Sequence, residues 1–265
     1  MSHPARPAHP ALARAARLWF LTFLLAQLGF AFFIIAFFTP PLLSGDYAAW
    51  NAKPHLVGYV PGDTFGNAQL LVHVYLGALV TLLGSMQFVA AVRRRYPVVH
   101  RWIGRVFLGA SLIATLGGFY LTWVRGAQIN AASTLSISLN GMLILVFAAM
   151  AWRTAWRRDF VAHRRHATRA FLLVNGVLFL RVGILLAGVL LMPLGIRVDY
   201  DGGVFIAVSF LSWLAPLAVY EAYLSAERST RPFVRHVATA VIGLAAIATL
   251  AGAIAAMLLM WWPRL

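Results

Sequence analysis

Residues 18–38 read LWFLTFLLAQLGFAFFIIAFF, an apolar run without a single charge. A peptide backbone in hydrocarbon must satisfy its own hydrogen bonds, and about 20 apolar residues at 1.5 Å each cross the bilayer as a helix. The run has no small-residue cleavage site before Thr39-Pro40-Pro41, so it reads as an anchor and not as a removable signal. Working outward, six more runs follow. The seven expected spans are residues 17–38, 67–92, 102–124, 131–152, 168–192, 203–225 and 237–262. Together they predict one all-α transmembrane bundle over residues 1–265, with no separate soluble domain. Loop 39–66, with its glycines, prolines and aromatics, is expected to cap one face.

Composition agrees. The chain is 62% hydrophobic and 11% charged, too little charge for a soluble surface of 265 residues. The net charge of +15 suggests nucleic acid until its placement is read. Seventeen arginines fall on alternate connections: Arg6, Arg14 and Arg17; Arg93, Arg94, Arg95, Arg101 and Arg105; Arg153, Arg157, Arg158, Arg164, Arg165 and Arg169; Arg228, Arg231 and Arg235. Only Lys53, Arg125, Arg197 and Arg264 lie on the other side. By the positive-inside rule the N-terminus is cytoplasmic and the C-terminus is outside, as in a multi-pass bacterial inner-membrane protein whose partner is the lipid bilayer, not nucleic acid. The chain has no cysteine, which removes thiolate chemistry, iron–sulfur clusters and disulfides.

Two polar groups stand out. At the cytoplasmic ends, histidines sit beside arginines: His100-Arg101-Trp102-Ile103-Gly104-Arg105, His163-Arg164-Arg165-His166-Ala167-Thr168-Arg169 and Arg235-His236. Neutral imidazole is the usual ligand of haem iron and of zinc or copper, and histidines on neighbouring helices hold a haem from both faces. His100 and His163, with His166 on the same helix face as His163, are therefore candidate haem b or metal ligands, and Arg105 and Arg169 candidate propionate partners. Asp159 and Glu221 are the only acids nearby to balance a bare cation. Histidine and arginine at a helix end equally serve as anchors for lipid headgroups.

In the outer half, His73, Asn140 and Arg181 fall within three different spans. Ionisable residues at this depth face the bundle and mark pathways or ligand sites. The three residues are expected to line a pocket for an anionic or carbonyl-bearing ligand such as a quinone headgroup, or to lock three helices together. One histidine at this depth cannot supply a bis-histidine haem without loop residue His55.

The stretches His73–Phe88 (HVYLGALVTLLGSMQF), His100–Arg105 (HRWIGR), His163–Arg169 (HRRHATR) and Arg181 within FLRVG resemble a family of bacterial membrane proteins called domain of unknown function 2306. The likeness covers the second to fifth spans. The family pattern places an aromatic residue where His166 stands, which implies a lesser ligand role for His166. The resemblance implies a fold and no activity. In style the histidine-bearing helices are similar to b-type cytochromes and ferric reductases, an analogy of architecture. Three functions are therefore expected in order: a membrane redox protein holding haem b or quinone, a small-molecule transporter or sensor with an outward-facing pocket, and a structural or assembly protein.

Overall fold

The computed structural model describes residues 9–52, 58–127 and 129–265; His55 lies outside the described residues. Nine α-helices and no strand occur among them. They are α1 (Pro10–Ser44), α2 (Thr64–Met86), α3 (Ala90–Arg95), α4 (Pro97–Trp123), α5 (Ala131–Trp156), α6 (Phe160–Val174), α7 (Gly176–Leu191), α8 (Gly203–Arg228) and α9 (Pro232–Ala256). Seven helical stretches among the described residues are long and apolar enough to cross a membrane.

α1 shows why the seven runs bundle. Leu18, Leu21, Leu25, Leu28, Phe32 and Ile35 recur at three- and four-residue spacing and stay exposed, as a lipid-facing stripe. The other face buries Phe23, Phe30, Phe33 and Phe37 in the main core. α1 runs beyond the expected Phe38, through Pro40 and Pro41, to Gly45, which ends it at φ +79°. A left-handed residue closes a helix cheaply only when it lacks a Cβ. A 3-10 turn, Tyr47–Ala52, then folds back, and its buried Trp50 donates Nε1–H to Phe38 O at 3.3 Å. This turn thus packs against the end of α1.

Two expected spans are divided. The run 67–92 ends as a helix at Met86, and residues 90–95 form the separate α3 before Pro97, a residue suited to a first helical position, opens α4. The run 168–192 is broken at Asn175 into α6 and α7, and α6 begins at Phe160, capped by the Asp159 carboxylate.

In the bundle α2 packs with α4, α5 with α6, and α9 chiefly with α1 and α7. Pairings such as His73 with Ala114 and His163 with Ala151 make the first two antiparallel. Helices α4, α6 and α9 open on the same short pattern, PVVH at 97–100, FVAH at 160–163 and FVRH at 233–236. Eleven to thirteen residues beyond each histidine stands a buried polar residue, Ser111, Asn175 or Thr249. Each donates to the carbonyl four residues back, at 2.7–2.8 Å. Of the three positions, only Asn175 lies at a helix break.

Candidate functional site

A buried polar knot holds the break. Gln27 of α1 donates Nε2–H to Asn175 Oδ1 at 3.0 Å and accepts from Ser85 Oγ of α2 at 2.6 Å. Asn175 Nδ2 donates to Phe171 O at 2.8 Å, and Asn140 Nδ2 of α5 donates to Leu173 O at 3.2 Å. An interrupted helix frees carbonyls, and buried carbonyls in lipid need donors. Asn140 therefore serves the break in the first instance, while its Oδ1 is buried without a partner. Gln27 is 0% exposed and Asn175 1%, so both amides are committed to the protein interior. Sequence reasoning missed Gln27; an amide amid apolar residues was the available signal.

The space nearer the arginine-poor end of the bundle is different. His73 Nδ1 lies 2.8 Å from Ala114 O of α4. A carbonyl can only accept, so Nδ1 carries the hydrogen in that bond and Nε2 is left as the free acceptor. The ring rests against Gly118, where a Cβ would come within 3.1 Å of it. One turn away, Gln69 packs on Gly117, where a Cβ would meet its Nε2 at 2.5 Å. The Gly117-Gly118 pair thus makes room for two polar side chains between α2 and α4.

His73 lies close enough to Arg181 of α7 to sense its charge. Arg181 donates from NH1 to Val177 O at 3.0 Å, on its own helix, and its guanidinium stands 5.0 Å over the Phe30 ring. No carboxylate pairs with it among the described residues. Both side chains are partly accessible, and the hydrogen bond of Arg181 to Val177 O is an exposed one. Residues 183–188 of α7 and 73–77 of α2 are likewise all partly accessible, without the alternation of a closely packed helix. Phe30 stacks on Trp261 at 5.6 Å between ring centres, and the Trp261 Nε1–H is buried without a partner.

The connections at the arginine-poor end are fixed. Arg125 Nε meets Asp63 Oδ2 at 2.8 Å, its NH2 bonds Asn67 Oδ1, and Asn67 clamps Val60 through both backbone groups. The Arg125 guanidinium and the Gly66 N–H hold the Asp63 carboxyl below its ordinary pKa of 3.8. A depressed carboxyl contributes stability that is present above the unfolded pKa and is lost as pH falls through the folded one. Thermal melts of purified protein are expected to lose stability below about pH 4, with Asp63→Asn flattening that part of the profile. An unchanged profile in Asp63→Asn would remove the pair from the acid response.

At the arginine-rich end the expected residues are only partly assembled. His163 Nδ1 lies 2.9 Å from Ala151 O, which leaves Nε2 free in the orientation ligating histidines adopt. His100 is near enough to sense His163, and its Nδ1 is buried without a partner. His166 stacks on Phe147 at 6.0 Å, also with an unpartnered Nδ1. Arg169 Nε is bound to Glu221 Oε1 at 2.7 Å, and Arg105 lies over the exposed Trp102 ring at 4.9 Å. A haem bound here would have to draw Arg169 away from Glu221. Among the described residues no group of three or more His, Asp or Glu converges as a metal site.

No curated protein and no solved structure matches the chain. A family model described as "Predicted membrane protein (DUF2306)" matches residues 70–224, more than half of the 265. The match encloses His73, the Asn175 break, Arg181 and the histidine-bearing ends of α4 and α6. On that span, the chain belongs to the membrane-protein family called domain of unknown function 2306.

Proposed function

We propose that the protein binds, in the outer half of the membrane, a small molecule presenting carbonyl or carboxylate oxygens. The observation that carries the reading is Arg181. A guanidinium has five N–H donors, and here its hydrogen bond goes to its own helix, beside one ring contact and Tyr200 in electrostatic reach, with no carboxylate paired to it among the described residues. A charge within the membrane costs several kcal/mol unless partners or water meet it. A ligand with acceptor oxygens supplies those partners, and the free Nε2 of His73 adds a point that accepts or, once protonated, donates.

A quinone headgroup is the membrane-resident ring with this chemistry. Its carbonyls suit Arg181, which stands over the Phe30 ring. That ligand makes the chain a redox protein of the bacterial inner membrane, with its arginine-rich end in the cytoplasm, as the distribution of arginine argues. The test is a thermal melt of purified protein with a short-chain ubiquinone analogue and, separately, with benzoate. Ligand at 100 times its Kd stabilises a protein by about 2.7 kcal/mol, so a clear rise in Tm with either probe is expected. No rise with either would end this reading.

A further inference from the structure

We propose that the arginine-rich end of the bundle binds the headgroup phosphates of anionic phospholipids, at a surface that α3 and the α5–α6 turn build together. This surface is distinct from the Arg181 site and does not depend on the ligand read there. Three observations carry it.

First, the charge is without partners. Arg93, Arg94 and Arg95 form the last turn of α3, Arg153, Arg157 and Arg158 close α5, and all six are exposed. The ion pairs of the described residues, Arg125 with Asp63 and Arg169 with Glu221, include none of them. Between residues 153 and 165 the sole acid is Asp159, whose carboxylate caps α6. The two stretches lie near one another. Phe88, which leads into α3, packs on Phe171 of α6 at 4.8 Å, and His100 of α4 is in electrostatic reach of both Arg93 and His163. Like charges gathered in this way repel one another unless anions lie among them.

Second, one of these arginines sits on a strained backbone. Arg158, at φ +59°, is the one non-glycine residue with positive φ among the described residues. It closes α5 by donating its N–H to Ala155 O at 3.1 Å, while the Asp159 N–H reaches Thr154 O at 3.0 Å. Glycine is the usual residue in that closing position, as Gly45 is at the end of α1. Arginine there adds backbone strain to like-charge crowding, and neither favours the folded chain by itself. Phosphate oxygens beside the guanidinium form charge-assisted hydrogen bonds that offset both.

Third, the aromatic residues give the level at which this surface lies. Trp152 and Trp156 stand exposed beside the arginines of α5, Trp156 at 83%, and Tyr96 and Trp102 stand exposed beside those of α3. Tryptophan and tyrosine favour the headgroup layer of a bilayer. The arginines therefore lie among lipid phosphates and not out in the water, where an acidic protein would meet them. Arginine clusters at that level recognise anionic lipid by its charge.

The test compares thermal melts of purified protein in nanodiscs of phosphatidylcholine with melts in nanodiscs of equal parts phosphatidylcholine and phosphatidylglycerol. The wild type is expected to melt higher in the second. Binding of short-chain phosphatidylglycerol in detergent is expected to weaken by roughly fivefold for each of Arg94→Gln, Arg153→Gln and Arg157→Gln. The pair Arg228→Gln/Arg231→Gln, in the α8–α9 turn, should leave it nearly unchanged. Arg158→Gly should melt higher than the wild type in phosphatidylcholine, as the strain is relieved, and gain less from phosphatidylglycerol. Equal melting of the wild type in the two lipids overturns the proposal. A loss in the Arg228/Arg231 pair as large as in Arg153→Gln/Arg157→Gln overturns the site, because the effect is then one of diffuse surface charge. Inorganic phosphate that raises Tm as much as phosphatidylglycerol does overturns the lipid in favour of a free anion. A rise with polyglutamate and none with phosphatidylglycerol overturns it in favour of an acidic protein.

Discussion

Replacing Gln27 by leucine is expected to destabilise the folded protein by about 1–3 kcal/mol, the usual cost of a buried polar group left without its partner. The group stranded is Asn175 Oδ1, because Ser85 Oγ retains a second acceptor in Thr81 O at 3.0 Å. The effect should exceed the roughly 0.6 kcal/mol of an average interhelical bond in a membrane protein, since the variant strands a fully buried amide oxygen as well as removing a bond. Hydrogen exchange at the first amides of α7 should quicken accordingly. The check is a denaturation series with a double-mutant cycle against Asn175→Leu. Additive effects would show that the amide pair does not hold the break.

Replacing Arg181 by leucine is expected to act in the opposite sense. Its hydrogen-bond acceptor, Val177 O, lies on the same helix, so the change leaves no side chain of another helix unpaired. Removing a charge from the membrane interior should then raise the stability of the ligand-free protein by about 1–3 kcal/mol. The same variant should lose its ligand-induced rise in Tm. Stability would thus go up as binding goes away, a pattern expected of functional sites that hold unsatisfied groups. A ligand-free Arg181→Leu protein that melts lower than wild type would mean that the guanidinium is a structural post.

Much of the fold was legible because hydrocarbon allows few answers. Seven apolar runs match seven helical stretches long enough to cross a membrane among the described residues, and the charge of residues 93–101 and 153–165 marked a common end. The break at Asn175 was not legible, because one amide and one glycine scarcely alter the hydropathy of the apolar run around them. Its partners are tertiary: Gln27, more than a hundred residues away, supplies the bond that meets the Asn175 side chain at the break. The division after Met86 had the same origin in local signals too weak to outweigh an apolar average.

For the site, the legible residues were those whose charge has no cheap place in lipid. His73 and Arg181 were read from that argument and lie within electrostatic reach of one another. Asn140 was read on depth alone, and depth does not say which way an amide points; it faces the freed carbonyl of Leu173. Gln69 and the Phe30–Trp261 wall depend on which helices are neighbours, a question that periodicity leaves open.

The location of the pocket can be read directly by photolabelling purified protein with an azido-quinone and mapping the labelled peptides. Label is expected within α2 and α7, around His73 and Arg181, and is expected to be displaced by unlabelled short-chain quinone. Label confined to the lipid-facing stripe of α1 or to α6 at the arginine-rich end, and indifferent to competitor, would contradict a ligand site at Arg181.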